Sequence, residues 1–222
     1  MFSKNDKPHQ GQPIISKGKA LADANAVVIL IHGRGATAES ILALADELLN
    51  ASHPHEFGNL AWLAPQAHNC TWYPHSFLAP VDENEPFLSS ALEMTSELIR
   101  DIEASGVPRE KVLLSGFSQG ACLSLEFAAR NPARYGGIVA LSGGLIGADV
   151  DETRYSGSLE GTPVFLGCSD FDPHIPEERV HASAGLLRKQ NAVVTKKIYK
   201  GLGHTVNEDE LSVFRSMLSD IL

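Results

Sequence analysis

A glycine–x–serine–x–glycine segment places the tightest constraint on how this chain can fold. Residues 116–120 read Gly-Phe-Ser-Gln-Gly and lie between a short apolar run at 111–115 and a predicted helix at 121–130. The helix is expected to end before Pro132, because proline disfavours a helical conformation in the residue that precedes it. Glycine leaves room where a turn is too tight for a Cβ atom. We therefore predict a sharp strand-to-helix turn that holds the Ser118 hydroxyl out of a sheet.

A strand, a Gly-x-Ser-x-Gly turn and a helix in this order are typical of the nucleophile elbow of α/β-hydrolases. The rest of the chain alternates strand and helix patterns. Strands are predicted at 26–31, 60–64, 137–141, 162–166 and 193–199, and helices at 40–50, 90–105, 176–189 and 207–221. This alternation predicts an α/β-hydrolase fold, with a mostly parallel central sheet and helices on both faces.

Domain organisation follows from length and from the absence of internal boundaries. The 222 residues contain no repeat, low-complexity tract or linker. We therefore expect a single α/β-hydrolase domain over 1–222, with a poorly defined segment at 1–24 in which residues 13–15 add an edge strand. At the start of the 90–105 helix, Ser90 and Glu93 predict a capping box.

Composition excludes several classes of partner. The net charge is −9 without a cluster of Lys and Arg, so neither nucleic acid nor an anionic membrane surface is expected. No apolar stretch reaches the roughly 20 residues that cross a bilayer, and residues 1–12 lack the apolar core of a secretory signal. The three cysteines form no Cys-x-x-Cys pair, which favours a reducing cytoplasm. A homodimer is compatible with this composition.

A serine nucleophile needs a base to remove its proton and an acid to orient that base. In this fold the chain order is serine, acid, histidine, and each group follows a strand. Asp170 and Asp172 both follow the 162–166 strand, and His204 follows the 193–199 strand in a glycine-rich turn. The sequence thus predicts Ser118 as nucleophile and His204 as base, with either aspartate as the acid.

An oxyanion intermediate needs backbone N–H donors close to the serine. One donor is expected from Gln119, the residue after the nucleophile, at the start of a helix. The other is expected from Arg34, because Gly33 and Gly35 let the backbone approach closely. The neighbouring His32 is predicted to stabilise this loop by hydrogen bonding.

The irregular stretch 70–86 is predicted to form a wall of the substrate site. It contains Trp72, Tyr73 and Phe77, and rigid aromatic rings line many ligand pockets. Rings close to Ser118 would restrict the acyl group, which predicts a small-molecule substrate with a short acyl or aryl ester. The alternative is that these rings only fix the loop to the core.

The other histidines give little indication of a metal or a cofactor, and neither is expected. His53, His55 and Glu56 are compatible with zinc, but a His-x-His on a polar loop is a weak signal. His174 and His181 are predicted to lie on a loop and a helix at the surface.

Four segments carry a resemblance to a known family. They read Leu-Ile-His-Gly-Arg-Gly (30–35), Gly-Phe-Ser-Gln-Gly (116–120), Ser-Asp-Phe-Asp-Pro-His-Ile-Pro (169–176) and Gly-His (203–204). Together they resemble the phospholipase/carboxylesterase family, which includes the acyl-protein thioesterases. The resemblance implies Ser118 as nucleophile and Gln119 as an oxyanion donor. Through the family's Asp-Pro-x-[Val/Ile]-Pro pattern, it also implies Asp172 rather than Asp170 as the acid.

The resemblance implies hydrolysis of carboxylic esters, acyl thioesters or lysophospholipids. The family's loop often reads His-Gly-x-Gly-Asp with an apolar third residue, whereas this chain has Arg34 there and Ala36 in place of the acid. Ala121 replaces a glycine that commonly follows the elbow. The expected function is a metal-independent serine hydrolase that acts through an acyl-enzyme. Two alternatives are a dienelactone hydrolase-like enzyme, in which the elbow residue is often cysteine, and a catalytically inactive receptor for small molecules.

Overall fold

The structure, a computed structural model, describes residues 3, 6–49 and 57–222. These residues contain a seven-stranded sheet in the order β1-β3-β2-β4-β5-β6-β7. The strands are β1 (Ile14–Gly18), β2 (Ala26–Ile31), β3 (Leu60–Pro65), β4 (Val112–Phe117), β5 (Gly137–Leu141), β6 (Pro163–Ser169) and β7 (Val193–Tyr199). Strand β1 is antiparallel to β3, and all other neighbours are parallel. The predicted α/β-hydrolase sheet is confirmed, including the edge strand near the N-terminus.

Five α-helices of the described chain cover this sheet. They are α1 (Ala38–Leu49), α2 (Phe87–Ala104), α3 (Gln119–Arg130), α4 (Glu177–Lys189) and α5 (Glu208–Ile221). The odd-numbered residues of β2 belong to the core on the face that α2, α3 and α4 cover, and the even-numbered residues belong to the core on the face that α1 and α5 cover. Because successive side chains of a strand point to opposite faces, a continuously apolar strand requires helices on both sides.

Two predicted boundaries differ from the structure because of contacts between distant residues. Helix α2 begins at Phe87, and Ser90 is buried within its first turn. The predicted capping box of Ser90 and Glu93 is therefore wrong. Instead, the Ser90 hydroxyl oxygen accepts a hydrogen bond of 3.0 Å from the backbone N–H of His9. Strand β6 continues past the predicted end at residue 166, since residues 167–169 pair with β7.

The strand order places two turns side by side. It reverses at β2, which has β3 on one side and β4 on the other. In open parallel sheets, the crevice beyond the carboxyl ends of the strands at such a reversal is the usual ligand site. The turn after β2 contains Arg34, and the turn after β4 contains Ser118. The topology thus brings the predicted oxyanion loop to the predicted nucleophile.

Glycines at the elbow allow α3 to approach the sheet. A Cβ atom on Gly120 would lie 2.0 Å from the carbonyl oxygen of Ile31 and 2.7 Å from that of His32. A Cβ atom on Gly116 would lie 2.4 Å from the carbonyl carbon of Gly120. Since each of these atoms belongs to the backbone, neither clash can be relieved by rotating a side chain.

The structure bears on the predictions about membranes and metals only for the residues that it describes. In the described ranges, no helix combines the length and the apolar character needed to cross a membrane. The candidate zinc ligands His53, His55 and Glu56 lie outside the described residues. Within those residues, no group of three or more His, Cys, Asp or Glu side chains is placed to hold a metal ion.

Replacement of Gly120 by alanine is expected to destabilise the protein, because the new methyl group would overlap the β2 backbone. We expect the free energy of unfolding to fall by about 1–3 kcal/mol or more. Gly185 is a matched control in α4, where an added Cβ atom meets nothing within 4 Å. Gly185→Ala should raise stability by about 0.5–1 kcal/mol through helix propensity. Urea denaturation of both variants checks this, and equal stabilities would contradict the proposed packing.

Candidate active site

Ser118 occupies a strained backbone conformation between β4 and α3. Its φ of 56° and ψ of −116° lie in a region that residues with a side chain rarely adopt. Its backbone N–H donates a hydrogen bond of 2.9 Å to the carbonyl oxygen of Leu141, at the end of β5. The elbow is therefore held against the neighbouring strand, and the Ser118 side chain lies in the wall of a cavity.

His204 connects Ser118 with Asp172. Its Nε2 lies 2.9 Å from Ser118 Oγ, and its Nδ1 lies 2.7 Å from Asp172 Oδ2. The three residues come from the turns after β4, β6 and β7, and the Asp172 side chain is fully buried. The arrangement can transfer a proton from a hydroxyl to an imidazole whose other nitrogen is held by a carboxylate.

Asp172 is fixed by its own turn. Its Oδ1 accepts hydrogen bonds from the backbone N–H groups of His174 and Ile175, at 2.8 and 3.1 Å. Burial by itself raises the pKa of the Asp172 carboxyl. The hydrogen bonds from His204 and from the two backbone groups outweigh burial, and the pKa lies below its ordinary value. At neutral pH the carboxylate is therefore ionised and available to His204.

Asp170 contacts the histidine turn but not the histidine ring. Its Oδ1 accepts a hydrogen bond of 2.7 Å from the backbone N–H of Gly201. Ser169, which the sequence analysis missed, has a related position: its Oγ accepts from the N–H groups of Gly203, at 3.0 Å, and Phe171, at 3.1 Å. The two side chains thus tie the turn that carries Asp172 to the turn that carries His204. The sequence signals for Ser169 were its polar side chain at the end of a strand and its place at the start of the 169–176 family segment.

Cys168 is a second residue that the sequence analysis missed. Its buried Sγ lies 3.8 Å from Asp172 Oδ2, the carboxylate oxygen that also contacts His204. Burial, followed by the nearby charge of Asp172, raises the pKa of this thiol to about 12. The thiol therefore stays protonated at neutral pH and can act as a weak donor to the carboxylate.

In the loop after β2, some backbone N–H groups already donate to an acceptor within the described chain, but that of Arg34 does not. Gly35 N–H donates to the Cys70 carbonyl at 2.7 Å, and Ala36 N–H donates to the Gly33 carbonyl at 3.2 Å. In the described part of the chain, the backbone N–H groups of Arg34 and Gln119 donate to no acceptor, and both residues line the cavity. An oxyanion site requires free backbone N–H groups beside the serine, so these two groups stay the candidates for it.

His32 holds this loop, as predicted from the sequence. Its Nδ1 lies 2.8 Å from the Gly33 carbonyl oxygen, and its Nε2 accepts from the backbone N–H of Ala67 at 3.1 Å. An Nε2 that accepts is unprotonated, so Nδ1 carries the proton and donates. Burial lowers the pKa of His32, which favours this neutral form.

The cavity above Ser118 has a volume of about 530 Å³. Tyr73 and Phe77 line it, and both side chains are buried. The prediction for Trp72 is wrong, because Trp72 is fully buried in the core and does not line the cavity. Its indole N–H donates to the His32 carbonyl oxygen at 2.9 Å. Trp72 therefore fixes the base of the loop.

The side chains of the two candidate oxyanion residues bind the same loop. The Gln119 side-chain amide accepts from the backbone N–H of Trp72 at 2.9 Å and donates to the Tyr73 carbonyl oxygen at 2.8 Å. The Arg34 guanidinium donates to the carbonyl oxygens of Pro74 and His75, at 2.8 and 2.6 Å. The cavity wall and the oxyanion donors are thus parts of one hydrogen-bonded unit.

His174 lies on an exposed loop, as predicted, and it also belongs to the candidate site. It is exposed to solvent, but it lines the cavity, and its ring centroid lies 4.8 Å from that of His204 in an edge-on contact. Phe117 also contacts the His204 ring, with centroids 4.9 Å apart. His181 does lie at the surface, on α4, as predicted.

Comparisons with known proteins show which proteins this chain resembles. A sequence model described as phospholipase/carboxylesterase matches residues 10–222. The chain is 28% identical over 221 residues to acyl-protein thioesterase 1 of Saccharomyces cerevisiae, which covers 90% of this chain and 94% of that protein. It is 41% identical to a phospholipase/carboxylesterase from Dyadobacter fermentans of known crystal structure, with a TM-score of 0.87 over 94% of this chain and 96% of that one. Arabidopsis thaliana SOBER1 shares the fold, at 22% identity and a TM-score of 0.74 over 88% and 98% of the two chains.

Substitution of Trp72 by alanine is expected to reduce stability, since it removes a fully buried ring and its hydrogen bond to His32. We expect the free energy of unfolding to fall by about 3–5 kcal/mol. Phe171 is a matched control, as its aromatic side chain is 80% exposed. Phe171→Ala should change stability by no more than about 0.5 kcal/mol. Denaturant titration of both variants is the measurement, and a Trp72 variant as stable as the wild type would contradict the buried placement.

Proposed function

The chain belongs to the phospholipase/carboxylesterase family of hydrolases, and from this premise we propose that it cleaves carboxylic esters with a Ser118–His204–Asp172 triad. The single observation that carries the proposal is the position of His204, with one ring nitrogen 2.9 Å from the serine oxygen and the other 2.7 Å from a buried carboxylate. A carboxylesterase-type enzyme of this fold needs such an arrangement to activate a hydroxyl at neutral pH.

In the first half of the proposed reaction, Ser118 becomes acylated. His204 Nε2 takes the hydroxyl proton as Ser118 Oγ forms a bond to the ester carbonyl carbon. Asp172 holds the Nδ1 proton and stabilises the imidazolium that forms. The backbone N–H groups of Arg34 and Gln119 stabilise the negative charge on the former carbonyl oxygen. His204 then protonates the departing alcohol oxygen as the bond between carbon and that oxygen breaks.

In the second half, water releases the acid. His204 Nε2 removes a proton from a water molecule whose oxygen attacks the acyl-enzyme carbonyl carbon. The same oxyanion donors stabilise the second tetrahedral intermediate. When this intermediate collapses, Ser118 Oγ leaves and receives the proton back from His204. Water is thereby consumed, and the free enzyme, an acid and an alcohol result.

The cavity supports a small-molecule substrate with a short acyl or aryl group. Tyr73 and Phe77 are buried walls whose positions are fixed by neighbours: Gln119 binds the Tyr73 carbonyl, and the Arg179 guanidinium lies 5.8 Å from the Phe77 ring centroid. A long acyl chain would have to displace these side chains, and closely packed side chains resist displacement. We therefore propose that short-chain esters are better substrates than fatty esters.

A thioester is the second candidate substrate, suggested by the relatives that are named acyl-protein thioesterase 1. The proposed triad would cleave an acyl thioester by the same steps, with a thiol in place of the alcohol as the leaving group. Acetyl and butyryl thioesters of a small thiol, assayed beside the corresponding oxygen esters, distinguish the two bond types.

The triad proposal predicts a ranking of three variants. Ser118→Ala should lower kcat by about 10⁶ and abolish labelling by a fluorophosphonate probe, because the nucleophile is removed. Asp172→Asn should lower kcat by about 10⁴, since the amide favours the wrong histidine tautomer. Asp170→Asn is the matched control: it should reduce kcat much less, because Asp170 holds only the Gly201 N–H.

Kinetics on 4-nitrophenyl acetate, with circular dichroism to verify folding, provide the measurement. Asp170→Asn with a greater loss than Asp172→Asn would overturn the assignment of the acid. A folded wild-type protein that neither reacts with the probe nor hydrolyses any ester would instead support the inactive receptor.

The acyl-group proposal predicts a change in chain-length preference when Phe77 is shortened. The wild type should prefer acetyl and butyryl esters of 4-nitrophenol to octanoyl and decanoyl esters. Phe77→Ala should raise the long-to-short ratio of kcat/KM by roughly tenfold, since a wall of the cavity is removed. Phe171→Ala, outside the cavity, should leave the ratio unchanged. An unaltered ratio in Phe77→Ala would contradict the proposed wall.

A further inference from the structure

The charge of the cavity differs from that of the whole protein. The chain carries 27 acidic and 18 basic side chains, for a net charge of −9. Yet among the described residues that line the cavity there is no Asp or Glu, whereas Arg34 and three histidines, His75, His174 and His204, are present. Because no carboxylate of the described chain lines it, this cavity is less negative than the rest of the surface of this acidic protein.

The Arg34 guanidinium forms no ion pair with an acidic side chain of the described chain. Its two hydrogen-bond acceptors are the backbone carbonyls of Pro74 and His75, which are neutral. In the described chain no carboxylate lies within 4.0 Å of Arg34, whereas Arg109 and Arg215 each pair with a glutamate. A guanidinium has five N–H donors, and the two carbonyls use only two of them.

The same contacts hold the guanidinium in place before a substrate arrives. Two hydrogen bonds attach it to the loop, and it lies 5.9 Å from the Tyr73 ring centroid. The Asp172 carboxylate is fully buried and does not line the cavity, so the Arg34 guanidinium stays available to a ligand. A fixed guanidinium with free donors matches the oxygen atoms of a carboxylate or a phosphate.

We propose that Arg34 selects esters that carry an anionic oxygen group, a carboxylate or a phosphate, over neutral esters of the same shape. This inference rests on the proposed esterase function and specifies the substrate class of the same cavity. The Arg34 backbone N–H serves the oxyanion, while its side chain binds the charge of the substrate.

Matched substrates test the proposal on both sides of the scissile bond. With the charge on the leaving group, 3-acetoxybenzoate and 3-acetoxyphenyl phosphate are compared with neutral 3-acetoxybenzamide. With the charge on the acyl group, monomethyl succinate is compared with methyl succinamate. In at least one series, the wild type should show a kcat/KM roughly tenfold higher for a charged substrate, and added salt should reduce this ratio.

Two substitutions separate the charge of Arg34 from its contacts with the loop. Arg34→Gln should bring the charged-to-neutral ratio to about one, because the cation is lost. Arg34→Lys should lower activity on every substrate, since it loses the paired carbonyl contacts, but should retain a ratio above one. A purely structural role would reduce all substrates equally and leave the ratio unchanged in both variants. Arg100→Gln, at an exposed side chain of α2, is the control and should change neither quantity.

Each outcome is decisive. A wild type that hydrolyses neutral and charged substrates equally well in both series overturns the inference but leaves the esterase proposal intact. A preference that persists in Arg34→Gln also overturns it, since another group must then bind the anion. If no substrate is hydrolysed faster by the wild type than by Ser118→Ala, the proposed function itself fails. The relative rates of the benzoate and the phosphate identify which anion the site accommodates better.

Discussion

The close approach of helix α3 to strand β2 is the contact on which the rest of the site depends. At Gly120 the backbone of the helix comes so near to Ile31 that a methyl group would overlap its carbonyl oxygen. This approach aligns the start of α3 with the loop after β2, which supplies Arg34. Because the sheet already pairs β2 with β4, the serine and both candidate oxyanion donors converge without any contribution from mobile side chains.

Hydrogen bonds between turns orient His204 and Asp172, the candidate base and acid beside Ser118. The turns after β6 and β7 also have apolar support, since Ile175 is buried in the core and Phe117 contacts the His204 ring. Ser169 and Asp170 accept hydrogen bonds from the backbone of the histidine turn, and the backbone of the acid turn donates to Asp172. A ring nitrogen must lie within hydrogen-bond reach of the serine oxygen, and such directional bonds specify position more narrowly than apolar contacts do.

The aromatic loop shows how one segment divides structural and functional roles between neighbours. Trp72 is directed into the core, whereas Tyr73 and Phe77 face the cavity. Gln119 and Arg34 bind the intervening backbone, so the cavity wall and the oxyanion donors are positioned together. The departure of Arg34 from the apolar residue frequent in the family therefore has two effects: it ties the loop down, and it places a positive charge at the cavity.

The sequence by itself determined the order of strands and helices, the elbow, and the identities of Ser118, Gln119 and His204 as candidates. These features depend on periodicity and on residues adjacent along the chain, which a sequence displays directly. Residue spacing could not separate Asp170 from Asp172, because both follow the same strand, and only the family pattern favoured Asp172. The tertiary structure decided that Asp172 contacts His204, that Trp72 enters the core, that His174 joins the cavity, and that α2 begins early beside His9. Each of these outcomes depends on which distant residue a side chain meets after folding, and local patterns along the chain carry no record of such partners.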